Sequence, residues 1–430
     1  MGKILLCVLA FALSFGNAVM ADDGRFPNGE AVPEWFCDTS LVNVDTLGTK
    51  YVLTDYGVEA DSTLLQTEAI QRVIDLAASR GGGVVVVPRG IFLSGSLFFR
   101  QGTHLHLQDG AVLKGIDAIK HYPLVKTRME GQTLLYFAAL VNADGLDGFT
   151  ITGNGTINGN GLRFWEEFWI RRRFNKDCTN LEALRPRLVY MSNCKNVQVQ
   201  DVKLINSPFW TNHLYRCHHV KYIGCHIYAP TTGVKAPSSD AIDIDYCHDI
   251  LVSGCYMNVN DDAVVLKGGK GTYADKDPDN GPNYNVVVQR CTFGTVHACL
   301  TLGSESLHDW NIVMRDCTFT NADRVLWLKM RPDTPQHYEY VTVENVSGQC
   351  GSFLVIRPWT QFYKMENRPD MPLSQCNNVT IRNVNVNCKT FFDVGISDKY
   401  CLKDFVFENL NYPDSAGGID KSMIENCVVK

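Results

Sequence analysis

The sequence predicts an all-β fold: a right-handed parallel β-helix, or solenoid, with an N-terminal capping helix. Two observations lead to this prediction. Short apolar strands recur every 23 to 38 residues through the second half of the chain, which is typical of coils that bury their inner faces on one another. An amphipathic helical pattern precedes these repeats, and such a helix can cover the open apolar end of a solenoid.

The 430 residues are 45% hydrophobic and 20% charged, with a formal net charge of −6. This composition is typical of a globular protein with a large core. The acidic balance argues against a nucleic-acid-binding protein, which usually carries a basic excess.

The first 21 residues combine Lys3, an apolar run and small residues before Asp22. This pattern predicts a signal peptide, followed by a single domain over residues 22–430. No later apolar run approaches the ~20 residues that a membrane span needs. We therefore expect an exported protein, periplasmic or extracellular, without a membrane anchor.

Residues 62–78 carry the helical pattern. Leu65, Ile70, Val73 and Ala77 recur at the spacing of one helix face. Three consecutive glycines follow at residues 81–83 and end the helix, and the four valines after them predict a buried strand.

The repeats from Cys194 onward each contain two short β-rich strands with a polar break, as in CKNVQVQDVKLIN. A leucine-rich repeat would show leucines and a helical half, and a propeller blade would need about 40 residues and four strands. A parallel β-helix therefore fits best, with the longer repeats forming loops. The aligned apolar residues, spaced 23, 30, 36, 26, 29, 38 and 26 apart, are Val197, Val220, Ile250, Val286, Ile312, Val341, Val379 and Phe405.

Sixteen cysteines would suggest disulfides in an exported protein, but many of them lie inside the apolar repeats, such as Cys194, Cys217 and Cys247. A free cysteine behaves as a small buried hydrophobe, and the absence of a CxxC pair argues against a zinc or redox site. We expect mostly reduced thiols stacked in the core. A few disulfides among the remaining cysteines are the alternative.

Three segments and a series of motifs stand out. The segments are residues 54–95, 105–115 and 151–161, and the motifs are SPFWTNH at 207–213, SSDAID at 238–243, NDDAVVLK at 260–267, VHA at 296–298 and LWLK at 326–329. Together they resemble glycoside hydrolase family 28, the polygalacturonases and their relatives, over nearly all of the mature chain. The sequence departs from the family at Trp327, where the family has an arginine, and this favours a specialised galacturonidase.

The resemblance implies a hydrolase that cleaves α-galacturonosyl linkages in pectic polysaccharides or their oligosaccharides with inversion. It implies that Asp261 is the general acid and that Asp240 and Asp262 position and deprotonate water. Hydrolysis of a glycoside needs such a set of carboxyl groups. An isolated aspartate more often caps a turn, whereas an adjacent pair inside an apolar strand is costly unless it has a function.

Strand parity places a candidate cationic strip on the outer face, because side chains alternate with period two. His297, Trp327, Lys329 and Arg331 fall opposite the apolar residues of their strands, and Arg357 does the same one coil later. We interpret the cations as lining successive coils to bind sugar carboxylates, with Trp327 as a stacking platform. The alternative is a solvated charged face.

Strict alternation cannot place Asp261 and Asp262 in one groove. The proposed site therefore requires a bulge or turn at residues 260–262, and Asp240 at the start of a strand. Without a bulge, Asp243 becomes a competing catalytic candidate.

The insertion at residues 268–285 is rich in Gly, Pro, Asp and Asn and predicts a loop next to the site. We expect this loop to close one end of the groove and to make the enzyme exo-acting. The expected substrate is an acidic polysaccharide or oligosaccharide, and the expected oligomeric state is a monomer. The sequence predicts neither a metal nor a cofactor. The alternatives are a β-helix polysaccharide lyase acting on uronates and a non-catalytic β-helix adhesin or sugar-binding protein.

Overall fold

The computed structural model of the protein describes residues 24–230 and 232–430. The signal peptide expected at residues 1–21 lies outside the described residues. Within the described chain, 27 strands join one sheet with parallel pairing, and the molecule is a right-handed parallel β-helix, as the sequence predicts. None of the described helices is both long and apolar enough to cross a membrane.

The strands of the first half are β1 Lys50–Val52, β2 Gly83–Val87, β3 Gly90–Ser94, β4 Leu97–Phe98, β5 Thr103–Leu107, β6 Ala111–Gly115, β7 Leu124–Met129, β8 Gln132–Phe137, β9 Val141–Asp144, β10 Thr150–Thr152, β11 Thr156–Asn158, β12 Val189–Ser192, β13 Lys195–Gln200, β14 Lys203–Ile205 and β15 Asn212–Tyr215. Those of the second half are β16 His218–Ile223, β17 His226–Tyr228, β18 Ile242–Asp245, β19 His248–Ser253, β20 Tyr256–Asn258, β21 Val264–Lys267, β22 Asn283–Gln289, β23 Thr292–Leu302, β24 His308–Arg315, β25 Thr318–Met330, β26 His337–Pro358, β27 Ser374–Val394, β28 Tyr400–Asn411 and β29 Val428–Val429.

Two α-helices are present in the described chain: α1 at Thr67–Ser79 and α2 at Leu162–Phe174. Helix α1 buries Ile70, Val73 and Ile74 in the main core, where they join Val85 of strand β2. It starts five residues later than residues 62–78 predict, because Leu65 is bridged to Leu93 in extended backbone. That this helix caps the first coil stays a prediction.

The repeat alignment predicted from the sequence matches the strand register between neighbouring coils. Each aligned apolar residue from Val197 to Phe405 is the strand partner of the next one in the series. All eight are buried in the main core, because every coil must hide its inner apolar residues on its neighbours. The long intervals are loops: residues 229–230, 232–241, 268–282 and 359–373 lie between strands.

The cysteines of the repeats stack in ladders inside the coils. Cys194, Cys217 and Cys247 form one ladder, and their thiols donate to backbone carbonyl oxygens or accept from backbone N–H groups at 3.2 to 3.4 Å. None of the 15 cysteines in the described chain is in a disulfide. Eleven of them are buried and pack as small apolar side chains, whereas Cys37 and Cys401 are exposed.

The hairpin of β7 and β8 stands apart from the large sheet. It lies over the outer face of the coils that carry β15 and β18, since Arg128 of β7 is fully buried and ion-paired with Asp245 at 3.1 Å. Residues that face outward from a coil, such as Asp245, are therefore buried here.

Candidate active site

The candidate site lies where three stacked strands begin. Strands β15, β18 and β21 pair in register, and the backbone just before β18 and β21 is irregular. Asp240 precedes β18 by two residues, and Asp261 and Asp262 lie in a bend ahead of β21. The turn that the parity argument required at residues 260–262 is present.

Backbone hydrogen bonds hold this irregular segment in the stack. The Ala241 N–H donates to the carbonyl of Asp262 at 3.0 Å, and the Asn260 N–H donates to Ser239 Oγ at 3.0 Å. The Asp262 N–H donates to its neighbour's carboxylate, Asp261 Oδ1, at 3.0 Å. These bonds turn Asp261 and Asp262 out of strict alternation, so that both side chains reach one cavity.

The three carboxyl groups meet in that cavity. One oxygen from each of Asp240, Asp261 and Asp262 lies within 4.8 Å of the others. Asp240 and Asp262 are buried, whereas the side chain of Asp261 is 27% exposed. Three like charges at this distance repel one another, so the group favours holding a shared proton. Asp243 is also buried but does not line the cavity.

Two cations contact the acidic group directly. His297 Nδ1 lies 3.3 Å from Asp261 Oδ1, and Lys329 Nζ donates to Asp262 Oδ2 at 2.7 Å. Because Lys329 also lies over the Trp327 ring at 4.1 Å and the Trp359 ring at 4.9 Å, its ammonium group is held in place.

A third cation balances the deeper carboxylates. Lys267, at the end of β21, lies 3.5 Å from Asp243 Oδ1, 3.5 Å from Glu305 Oε2 and 3.9 Å from Asp240 Oδ2. Its ammonium group also lies 4.5 Å from the centre of the Trp210 ring. The parity argument did not select Lys267. This residue follows the inward-facing Leu266 and so faces outward, which is the same signal that selected Lys329.

Burial and charge separate the pKa values of the carboxyl groups. Burial, reinforced by the charges of Asp261 and Asp243, raises the pKa of Asp240 well above its usual range. Burial acts in the same direction on Asp261, but the hydrogen bond and charge of His297 outweigh it and lower the pKa of Asp261. The protonated form is therefore favoured at Asp240 and the carboxylate at Asp261.

The pKa of His297 is raised in turn. Burial opposes its charged form, but the hydrogen bond and charge of Asp261 prevail. The imidazolium of His297 therefore persists to higher pH than that of an ordinary histidine, and it carries a proton 3.3 Å from the carboxylate of Asp261.

A buried polar network supports the floor of the site. Asp245 accepts a hydrogen bond from Arg128 at 3.1 Å and lies 3.5 Å from His213 Nε2. Burial lowers the pKa of His213 to about 4, so its ring is neutral. Its Nδ1 lies 2.8 Å from Arg187, which donates to the carbonyl of Arg128 at 2.8 Å. Hairpin and coils are thereby joined behind the carboxylates.

The cavity has a volume of about 430 Å³ and aromatic walls. Trp327 and Trp359 stand on one side with ring centres 5.4 Å apart. The other aromatic side chains that line it are Phe168, Trp169, Trp210 and Phe362. Aromatic faces suit the apolar faces of sugar rings.

Loops from distant parts of the chain contact one another around the cavity. Lys270 of the 268–282 loop lies 3.6 Å from Glu130 of the β7–β8 turn. Gly131 in that turn has φ +71°, and a Cβ there would lie 2.9 Å from the backbone of Gly269, so only glycine permits this approach. At the cavity, the Arg172 guanidinium of α2 also lies 5.8 Å from the Phe362 ring centre.

The 268–282 loop is also tied to the 359–373 segment. Tyr273 Oη donates to the carbonyl of Asn367 at 2.9 Å, and Arg368 Nη2 donates to Asp275 Oδ2 at 2.8 Å. Hairpin, loop and segment therefore form one continuous wall.

Six of the eight predicted site residues line the cavity and either belong to the acidic group or contact it directly or through Lys329: Asp240, Asp261, Asp262, His297, Trp327 and Lys329. Arg331 also lines it, but its guanidinium is buried and engaged by Asp333 at 2.8 and 2.9 Å. Arg357 does not line the cavity, because its guanidinium is exposed and pairs with Asp393.

The prediction that His297, Lys329 and Arg357 line successive coils as one strip is wrong. Lys329 and Arg357 are strand partners. His297 is not aligned with them, because its neighbours Val296 and Ala298 pair with Ala322 and Arg324. Parity predicted which face each side chain takes, but it carries no information on register. His297 reaches the site through Asp261 instead, as Lys329 does through Asp262.

Potential metal ligands converge in two groups within the described chain: the three site aspartates, and His308 with His337 and Glu339 elsewhere on the surface.

Comparison with known proteins agrees with this architecture. The family model described as glycosyl hydrolases family 28 matches residues 124–349. A probable polygalacturonase of Vitis vinifera is 29% identical over 263 residues, which is 59% of this chain and 51% of that protein. An endo-polygalacturonase of Pectobacterium carotovorum subsp. carotovorum is 26% identical over 289 residues, covering 63% of this chain and 66% of that one.

The fold is also that of a solved structure. A hyperthermoactive exopolygalacturonase from Thermotoga maritima superposes with a TM-score of 0.70 at 23% identity, covering 89% of this chain and 88% of that one. The chain thus matches only about half the length of the Vitis vinifera relative, whereas the fold match extends over most of both chains.

Proposed function

The chain belongs to glycosyl hydrolases family 28, and from this premise we propose that it hydrolyses α-galacturonosyl linkages in pectic polysaccharides or their oligosaccharides by an inverting mechanism with two catalytic carboxyl groups. One observation carries the proposal: three aspartates share an aromatic-walled cavity, and two of them hold a cationic partner. This arrangement provides both a proton donor and a base for water.

Asp261 and His297 supply the proton. In the unliganded site the proton of this pair lies on His297. A bound sugar covers the exposed part of Asp261, and burial disfavours a carboxylate. The proton then passes to Asp261 and on to the leaving oxygen as the glycosidic bond breaks.

Asp262 and Asp240 act on the water. Lys329 lies 2.7 Å from Asp262 as its counter-charge, and we assign Asp262 as the group that accepts the proton of the water. The raised pKa of Asp240 favours a protonated carboxyl group, which orients the water by hydrogen bonding. Water gives its proton to Asp262 and its oxygen to the anomeric carbon.

Recognition of the sugar carboxylate falls to Arg172. Lys329 is engaged by Asp262 and Arg331 by Asp333. Arg172 lines the cavity between the rings of Phe168 and Phe362, and its Nε is buried without a hydrogen-bond partner in the described chain. A planar guanidinium with unpaired donors suits a uronate carboxylate.

The enclosure of the cavity supports exo action. The wall from hairpin to segment 359–373 closes one side, and the contact of Arg172 with Phe362 bridges the rim. A chain end enters such a pocket more readily than the middle of a polymer. The 268–282 loop contacts both the hairpin and the 359–373 segment, which supports this proposal.

Product analysis on polygalacturonate and pectic oligosaccharides tests the proposal. We expect new reducing ends without the ultraviolet absorbance of an unsaturated product, and release of monomer or dimer alone at early times. Ultraviolet absorbance would identify a lyase, and an early ladder of oligomers would identify an endo-enzyme. A complete lack of turnover, with binding retained, would favour the sugar-binding alternative.

We further propose that the protein is exported after cleavage before Asp22. The intact mass of protein recovered from the periplasm or medium tests this, because retention of residues 1–21 in the exported chain would contradict it.

A further inference from the structure

A second cleft lies behind the wall of the catalytic cavity. The 268–282 loop contributes Ala274 and Pro282 to it, and segment 359–373 contributes Leu373. On its floor the side chains of His308 and His337 are adjacent. None of these residues takes part in the proposed hydrolysis.

The two histidines stand on neighbouring coils. His308 begins β24, His337 begins β26, and the two are strand partners. Their rings are stacked with centres 4.6 Å apart and planes 7° from parallel. Glu339, two residues after His337 and on the same strand face, directs its carboxylate at both rings.

The Glu339 carboxylate lies between the ring nitrogens. Oε1 is 2.9 Å from His308 Nε2, and Oε2 is 3.5 Å from His337 Nε2. Two imidazole nitrogens and one carboxylate oxygen thus lie within 4.8 Å of one another. The His337 Nε2 atom is buried and has no hydrogen-bond partner in the described part of the chain.

We propose that His308, His337 and Glu339 bind a divalent transition-metal ion of the zinc class. Two imidazoles and a carboxylate are a donor set that Zn²⁺ accepts, with a fourth position left for water. Neutral imidazole also suits copper and nickel, whereas calcium and magnesium prefer oxygen ligands alone.

Small side-chain movements complete the geometry. Ligands at the usual zinc distances of ~2.0–2.1 Å stand roughly 3.3 Å apart, so each group moves by roughly 1 Å from its present position. The three side chains are half-buried, with 38%, 34% and 19% of their surfaces exposed. They therefore have room to turn, and the cleft leaves the fourth position open to water.

A bound ion would join two coils at the edge of the catalytic wall. The cleft that holds the histidines is lined by the same loop and segment that enclose the sugar cavity. Asp275, whose carboxylate holds Arg368 of the segment, lines it as well. The metal would therefore stabilise β24 against β26 beneath these loops.

Calorimetric titration of the chelator-treated full-length protein with Zn²⁺ tests the proposal. We expect one saturable equivalent of Zn²⁺ and an increase in Tm upon its addition. His337→Gln and Glu339→Gln each remove one of three ligands, so binding should weaken by at least about tenfold while the circular dichroism spectrum stays unchanged.

Two variants provide the controls. His248 belongs to another stacked pair, with His218 at 4.9 Å, and has its own carboxylate partner Asp249 at 2.7 Å, but these groups do not converge. His248→Gln should therefore bind Zn²⁺ like the wild type. Absence of saturable binding, equal loss in His248→Gln, or loss in Asp261→Asn instead of His337→Gln would overturn the proposal.

Discussion

At the scale of single residues, the site is governed by pairing between carboxylates and cations. Asp261 depends on His297 and Asp262 on Lys329, whereas Asp240 has Lys267 only at 3.9 Å. Burial raises the pKa of Asp240, whereas the hydrogen bond and charge of His297 outweigh burial and lower the pKa of Asp261. One buried cluster can therefore hold an acid and a base at the same pH.

The His297–Asp261 pair predicts the alkaline limb of the pH profile. Asp261 raises the pKa of His297, so the proton of the pair is present below that raised pKa and is lost as pH rises through it. We expect kcat to fall in the wild type over this range. His297→Gln should reduce kcat by about 10²-fold and should lack this limb.

Measurement of kcat and KM from pH 4 to 9 for both proteins checks this prediction. A structural role alone would reduce activity without altering the shape of the profile. An unchanged alkaline limb in His297→Gln would show that another group holds the proton.

At the scale of elements, helix α2 supplies the cation that the sequence argument passed over. The run of arginines at 171–173 is typical of a solvated face. Arg172, however, lines the cavity, and its guanidinium lies near the rings of Phe168 and Phe362. Arg173 lies on the same helix and is exposed, so it provides a matched control.

Arg172→Gln should raise KM for galacturonate oligosaccharides by about tenfold or more, because a charge-assisted hydrogen bond to a carboxylate contributes about 1.5–3 kcal/mol. The loss of ground-state binding should leave kcat nearly unchanged. Steady-state kinetics of Arg172→Gln and Arg173→Gln check this. Equal KM values for the two variants would place the sugar carboxylate elsewhere.

Elements with a clear periodicity were predictable from the sequence, whereas others were not. Residues 84–87 are a strand and residues 67–79 a helix, because buried valines and a regular apolar face leave little choice. Helix α2 has aromatic and charged residues around its whole circumference, so it shows no apolar stripe. The β7–β8 hairpin is held by tertiary contacts such as Arg128 with Asp245, which a linear pattern does not contain.

The candidate site was predictable to a similar degree. The motifs brought Asp240, Asp261 and Asp262 together, and parity indicated that a turn must lie at residues 260–262, as it does. Parity could not give the inter-coil register, so His297 was aligned with Lys329 although it lies outside that register. Parity also could not show that Arg357 is exposed and pairs with Asp393. Arg172 was missed because its position over the cavity depends on tertiary contacts. Lys267 was also missed, although it has the same outward parity as Lys329.

At the scale of the whole molecule, stability comes from the stack of coils. The apolar ladder from Val197 to Phe405 joins eight coils through one register. Each coil is stabilised mainly by its neighbours, as in other solenoids. The three site aspartates lie between coils of this stack and therefore depend on the coils on both sides.

Ile250, fully buried in this ladder, is a suitable probe. Ile250→Ala should lower the free energy of unfolding by about 2–5 kcal/mol through lost burial and the cavity left behind. Denaturant unfolding followed by circular dichroism measures this change. Leu124→Ala, an exposed substitution in the hairpin, is the control and should change stability by no more than about 0.5 kcal/mol.

The central claim is that Asp261 in the shared cavity donates the proton for hydrolysis. Reducing-end release from pectic oligosaccharides by the wild type, Asp261→Asn and the exposed control Asp109→Asn tests it most directly. We predict full activity in the wild type and the control, and a loss of at least about 10²-fold in Asp261→Asn with its fold intact. Equal activity in all three proteins would contradict the claim and move the acid to Asp240.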